Sequence, residues 1–156
     1  MPKSFDLRRG ARRDTGENDA NNALSAANGA RITPGASRLA GMNILVAEDE
    51  ALVAMTLIDL VEDCGAKPIG PFAKVSECRN ALECEKPDIA ILDVRLRDGE
   101  SFEIAEKLVE RGVPVVFHSG HMIETEWLGD GDIVRFCGKP CAPAKLTEVL
   151  EDVLAR

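Results

Sequence analysis

Residues 88–99 read DIAILDVRLRDG: four consecutive apolar residues, Ile89 to Leu92, stop abruptly at a carboxylate, Asp93. A strand with no polar alternation is buried on both faces, as are the strands of a parallel sheet that carries helices on either side. An anion at the end of such a strand is costly unless a cation or hydrogen-bond donors compensate it. Other parts of the chain must therefore bring partners to Asp93.

From residue 42 onward, short apolar runs alternate with helical patterns. Strands are expected at Asn43–Ala47, at Ala66–Gly70 with Pro71 as its breaker, and at Asp88–Leu92, Val113–Phe117 and Ile133–Cys137. The helix Ala51–Cys64 places Leu52, Val53, Leu57, Leu60, Val61 and Cys64 on one face, and Gly65 stops it. A second helix is expected from an N-cap at Ser76 through Cys84 or Glu85, a third at Ser101–Glu110 before Gly112, and a last one at Pro143–Leu154. Met122–Leu128 is short and ambiguous, and a Gly129-Asp130-Gly131-Asp132 turn follows it. This order predicts an α/β domain: a five-stranded parallel sheet, doubly wound, with any ligand at the carboxyl ends of the strands.

Aromatic residues make up 4% of the chain, with no Tyr and a single Trp127, so the core must be aliphatic. At 156 residues the expectation is one folded domain. No apolar run approaches the roughly 20 residues needed to span a bilayer, and no secretory signal opens the chain, so a cytoplasmic protein is expected. Five cysteines, an odd number without Cys-x-x-Cys pairs, argue for reduced thiols. Cys137 and Cys141 form the only close pair and lack a second ligand pair at metal-binding spacing; His118 and His121 read as ordinary loop residues.

Residues 1–41 are rich in Arg, Asn, Gly, Ala and Ser without periodicity, and read as a disordered extension, with residues 42–156 as the folded domain and Met42 as an alternative start. The extension carries seven Lys/Arg against four Asp/Glu, a balance of +3; the remainder carries 12 against 23, a balance of −11. Phosphate-backbone contact needs a basic footprint, so direct nucleic-acid binding is not expected of the folded part. An acidic pocket that binds a cation is.

The expected strand ends supply candidates. The first ends in Glu48-Asp49-Glu50, the third in Asp93, the fourth in His118-Ser119-Gly120, and the fifth is followed by Lys139-Pro140. Each has a bland reading, as a helix cap, turn residue or solvated charge, but their joint placement at four of five strand ends is a different matter. Clustered carboxylates suit Mg²⁺, which takes one or two of them with waters and a phosphate oxygen. Asp49 and Asp93 could supply the ligands, with Glu48 holding a metal-bound water. Lys139 and Ser119 suit phosphate oxygens. An aspartate is ionised at neutral pH and could attack phosphorus without a general base.

With these residues in order, residues 43–154 resemble the receiver domain of two-component response regulators. The carriers are the acidic pair Glu48-Asp49, Asp93 in ILDVRLRDG, Ser119 after PVVFH, and Lys139-Pro140. The resemblance implies a flavodoxin-like fold. It also implies phosphorylation of Asp93 from a phosphohistidine on a sensor histidine kinase or histidine phosphotransfer protein. Mg²⁺ would be held by Asp49, Asp93 and the Arg95 carbonyl, with Glu48 acting through water. Ser119 takes the switch hydroxyl position and Phe136 that of the coupled aromatic, against core filling as the alternative. The family's fourth helix, fifth strand and fifth helix form its switch surface, and Gly99 fits the turn into the third helix. Glu48 departs from the commoner Asp, and Phe136 lacks a Tyr hydroxyl, so a switch there would act by packing.

Because the last helix ends at Leu154, a stand-alone receiver is expected, with output through contact with a further protein. A Mg²⁺-dependent phosphohydrolase with an aspartyl-phosphate intermediate is the alternative, but the acid such enzymes use two residues after the nucleophile is here Arg95, and a cap is missing. A receiver unable to accept phosphate conflicts with the complete set Glu48, Asp49, Asp93, Ser119 and Lys139. Flavin binding lacks a Ser/Thr/Gly-rich loop after the first strand. Arg95 and His121, two residues beyond Asp93 and Ser119, stand where the family tunes hydrolysis; bulky Arg95 is expected to slow it.

Overall fold

The computed structural model describes residues 36–120 and 131–155, which belong to one compact unit. In chain order the elements are β1 (Asn43–Ala47), α1 (Ala51–Asp63), β2 (Lys67–Phe72), α2 (Val75–Cys84), β3 (Ile89–Leu92), β4 (Arg95–Leu96), β5 (Gly99–Glu100), α3 (Phe102–Glu110), β6 (Val115–Ser119), a 3₁₀ turn (Gly131–Ile133), β7 (Val134–Gly138) and α4 (Pro143–Val153). Five strands form one parallel sheet in the order β2-β1-β3-β6-β7. The expected doubly wound parallel sheet is present. The chain steps outward from β1 to β2, then crosses back over β1 to β3 and continues to β6 and β7, so the ends of β1 and β3 flank the point where strand order reverses.

Alternate residues of each strand feed two aliphatic cores. Leu45, Ala47, Ala90, Leu92, Val115 and Phe117 pack with the buried faces of α2 and α3. Ile44, Val46, Ile89, Ile91, Val116 and Cys137 pack with those of α1 and α4. The run Ile89-Ala90-Ile91-Leu92 thus serves both cores and leaves no polar position.

Local differences from the sequence expectations have physical causes. Leu52 is not on the buried face of α1: it lies five residues, about 140°, from Leu57 around the helix, and is exposed, while Ala54, Leu57, Leu60 and Val61 are buried. β2 continues through Pro71, which an edge strand tolerates because one row of its backbone groups is unpaired. The pairing of β1 with β2 shifts register between Leu45 and Ala47. Gly70 fits this irregularity for two reasons: its φ is +117°, and a Cβ there would lie 2.6 Å from the Val46 carbonyl oxygen. Ser76 is not the N-cap of α2; Lys74 is, and Asp98 from a distant loop accepts the free amides.

The folded unit also begins before Met42. Leu39 is fully buried in the core beneath α1 and α4, and the Ser37 hydroxyl donates to Glu151 on α4 at 2.7 Å. Residues 36–41 therefore depart from the expected disordered extension; residues 1–35 lie outside the described ones, as do Met122–Leu128 and His121. Replacing Leu39 by Ala should lower stability by about 2–5 kcal/mol, the cost of removing a buried leucine side chain. Urea unfolding of the full chain measures it, and an unchanged midpoint would place Leu39 outside the core.

Candidate functional site

Glu48 follows β1 and keeps strand-like pairing with β2, its amide donating to the Phe72 carbonyl at 2.9 Å. Asp93 follows β3, and its amide donates to the Ala47 carbonyl at 2.8 Å, which fixes it beside the end of β1. Lys139 follows β7, and its amide donates to the carbonyl of Ser119 at the end of β6, at 2.9 Å. Backbone pairing alone therefore carries the four segments to a common edge.

There the Lys139 ammonium donates to Glu48 Oε2 at 2.7 Å and to Asp93 Oδ2 at 2.8 Å. The Glu48 side chain is 1% exposed, that of Asp93 12% and that of Lys139 22%. The second oxygen of Glu48, Oε1, accepts the Glu50 amide at 3.1 Å. Burial raises the pKa of Glu48, and its hydrogen bonds to Lys139 and the Glu50 amide only partly offset this. For Lys139 burial pulls downward, but the bonds and charges of Asp93 and Glu48 outweigh it and leave the pKa raised. The two directions agree physically: the ammonium is held charged by two anions, while Glu48 is the anion most deprived of water.

Glu48, Asp49 and Asp93 each present a carboxylate oxygen within 4.8 Å of the others. Three hard oxygen donors at this spacing fit a divalent cation such as Mg²⁺. Both oxygens of Glu48 are already engaged, which suits it to a ligand water, whereas the Asp49 carboxylate has no hydrogen-bond partner among the described residues. Of the residues expected in the site, Glu48, Asp49, Asp93 and Lys139 are thus brought together. Ser119 is buried at the carboxyl end of β6, next in register to Gly138, and the Arg95 side chain is exposed on β4.

Several contributors escaped the sequence reading. The buried Ser101 hydroxyl donates to the Asp93 carbonyl at 2.6 Å. Arg95–Leu96 and Gly99–Glu100 form a two-stranded hairpin after Asp93, with Gly99 at φ +152°. The Asp98 carboxylate in its turn accepts the Val75 and Ser76 amides and the Ser76 hydroxyl, which lower its pKa. The two-residue loop is Arg97-Asp98, since Leu96 pairs with Gly99, and nothing in the sequence signals the bond of Asp98 to α2. Phe136 is not core filling: it is 38% exposed and stacks on buried Phe117 with ring centroids 5.2 Å apart.

The expectation of reduced cysteines is corrected in one place. Cys137 and Cys141 are joined as a disulfide, with Cα atoms 6.4 Å apart, while Cys64, Cys78 and Cys84 are free. Both ends of the turn after β7 face the core beneath α1 and α4, a convergence that a four-residue separation does not reveal.

The family model for the response regulator receiver domain matches residues 44–151. The chain belongs to that family. It is 33% identical over 115 residues to the phyllosphere-induced regulator PhyR of Methylorubrum extorquens, covering 71% of this chain and 43% of that protein. It is 25% identical over 118 residues to the transcriptional regulatory protein PdtaR of Mycobacterium tuberculosis, covering 72% and 57%. The chain thus spans about half the length of these curated relatives. The solution structure of SdrG from Sphingomonas melonis superposes with a TM-score of 0.62 at 31% identity, covering 74% of this chain and 98% of that one. Response regulators with this domain are signalling proteins of two-component systems, and the expected flavodoxin-like receiver fold is present. Among the described residues no helix is long and apolar enough to cross a membrane.

Removing the ammonium leaves Glu48 buried without its cation. Lys139→Met should cost up to about 3–5 kcal/mol at neutral pH in metal-free protein, the penalty for breaking a buried pair. Because the pKa of Glu48 is raised, its contribution is full below the ordinary carboxylate pKa and is lost as pH rises through the folded value. The deficit of the variant should therefore shrink as pH falls from 7 towards about 5. Mg²⁺ should bind the variant more tightly, since no ammonium competes for the carboxylates. Urea midpoints at the two pH values and titration calorimetry with Mg²⁺ check both.

Proposed function

We propose that this chain acts as a stand-alone cytoplasmic receiver that accepts a phosphoryl group on Asp93 from a phosphohistidine of a sensor histidine kinase or histidine phosphotransfer protein. The observation that carries the reading is the Lys139 ammonium, bonded at once to Glu48 and Asp93 at the edge where the β1 and β3 ends meet. One Asp93 oxygen attacks phosphorus as the P–N bond breaks, and the bonding pair returns to the imidazole. Lys139 is positioned to follow the negative charge from Asp93 Oδ2 onto the transferred phosphoryl oxygens. The buried Ser119 hydroxyl would donate to another of them. Asp49, Asp93 and the Arg95 carbonyl would hold Mg²⁺, with Glu48 binding one of its waters; when bound, the ion neutralises charge on the phosphoryl group.

Output would pass through contact with a further protein. The excess of acidic residues over residues 42–156 opposes direct binding to a phosphate backbone.

Incubation with a small acyl phosphate and Mg²⁺ should add one phosphoryl group by intact-mass measurement. Asp93→Asn, or removal of Mg²⁺ by a chelator, should abolish it; labelling that persists in Asp93→Asn would place the acceptor elsewhere. Arg95 is exposed two residues beyond the acceptor, and on this reading its bulk would hinder attack by water. Arg95→Ala should therefore shorten the lifetime of the phosphorylated protein, followed by mass after the donor is removed.

A further inference from the structure

We propose that Cys137 and Cys141 are a reversible dithiol–disulfide pair whose oxidation clasps the turn that carries Lys139 and so holds its ammonium on Asp93 and Glu48. The inference rests on the proposed role of Lys139 in phosphoryl transfer for its consequence, but not for the chemistry of the pair itself.

The clasp encloses only Gly138, Lys139 and Pro140. One end is anchored: Cys137 lies on β7, buried in the core beneath α1 and α4. The other, Cys141, lies outside β7 and α4 and is half-buried at the edge of the same core. Without the S–S bond, Lys139 is tethered on one side by its amide, which donates to the Ser119 carbonyl, and among the described residues no backbone hydrogen bond ties Pro140 or Cys141 to the sheet. With it, both flanks of Lys139 are fixed to the sheet. The Cα separation of 6.4 Å falls within the range disulfides adopt. Disulfides that form in a reducing compartment are transient and regulatory, and thiol reactivity follows exposure.

Of the other cysteines, Cys64 and Cys84 are accessible but are bonded to no second cysteine, and Cys78 is buried, its thiol pushed up to about 12 by that burial and by the nearby charges of Glu77 and Asp98. Beside Cys137 lies His118, its register partner across the parallel β6–β7 pairing. Parallel neighbours in register project to the same face about 5 Å apart. His118 is buried and its Nδ1 has no hydrogen-bond partner among the described residues. Burial, aided by the charge of Lys139 and opposed by that of Asp93, lowers its pKa and favours the neutral imidazole, which can take up a proton.

The oxidant is a low-molecular-weight disulfide. The more accessible Cys141 loses its proton and attacks one sulfur of that disulfide, releasing one small thiol and leaving a mixed disulfide. Cys137 then gives its proton to His118 and displaces the second small thiol, closing the protein S–S bond. Two protein thiols and one small disulfide become one protein disulfide and two small thiols.

The experiment uses the full chain equilibrated with reduced or oxidised glutathione, alongside Cys141→Ser. Alkylation and peptide mass mapping should find Cys137–Cys141 bonded in the oxidised sample, free in the reduced one, and restored on re-oxidation. Lys139 should react more slowly with an amine-acylating reagent when oxidised, and the acyl phosphate should label oxidised protein about three- to tenfold faster, inside the hundredfold that a 1 Å misplacement can cost. Cys141→Ser should behave as the reduced protein in either buffer. Thiols that stay free in oxidised glutathione would overturn the proposal, as would a disulfide that forms without changing Lys139 acylation. If acylation follows redox state but no sample is phosphorylated, the clasp stands and the phosphoacceptor reading fails.

Discussion

One ammonium shared between two carboxylates holds this site together. The desolvation of Glu48 and Asp93 is a cost of several kcal/mol per ion that apolar packing around them cannot return. Lys139 offsets it by donating to both at 2.7 and 2.8 Å in a region of low water content. The compensation is incomplete by charge count: Glu48, Asp49 and Asp93 carry three negative charges against one positive. A net charge of −2 in so small a volume equals what a divalent cation brings. The acidic cluster and the lysine are therefore one electrostatic object, in which a divalent cation and the ammonium compete for the same carboxylates.

The fold produces that object by a rule of alternation. In β1 and β3, Ile44, Val46, Ile89 and Ile91 face the core under α1 and α4. Two residues further on in the same parity stand Glu48 and Asp93, and Lys139 stands two beyond Cys137 in β7. Each strand thus ends in a charged residue that follows on from an apolar residue of the same core. Strand order then sets who meets whom: β1 and β3 are neighbours, so their carboxylates crowd, whereas β7 is two strands from β3 and only a long side chain spans the gap. A lysine has the reach.

How much of this was legible in the sequence follows from the same distinction between local and tertiary causes. Period and charge are local, so Ile89–Leu92 reads as a doubly buried strand, and Glu48, Asp49, Asp93, Ser119 and Lys139 read as strand ends. Contacts between segments far apart in the chain leave no such trace. Leu39 lies just past a polar, aperiodic stretch, and the core it enters is assembled from α1, the sheet and α4, the last more than a hundred residues later. Ser76 carries the chemistry of an N-cap, yet Asp98 satisfies those amides better from across the loop. Pro71 breaks an inner strand but not an edge strand, and edge position is a property of the sheet. Cys137 and Cys141 look like scattered thiols until the turn after β7 folds both towards one core.

The β6–β7 pair shows how the site is joined to the surface. Phe117 and Phe136 are register partners, and the same two strands continue to Ser119 and to the turn bearing Lys139. Phe117 is fully buried and meets Phe102 of α3 edge-on at 6.1 Å and the partly exposed Phe136 in a stack at 5.2 Å. Close-packed rings transmit displacement and do not absorb it. A shift of Ser119 towards an incoming anion would pull on the strand two residues from Phe117, and the element with freedom to answer is Phe136, whose outer face is in water. Because that ring has no hydroxyl, its answer is a change in the area it exposes rather than a hydrogen bond gained or lost. A partner that reads this surface would therefore discriminate by apolar contact, at a strength set by buried area.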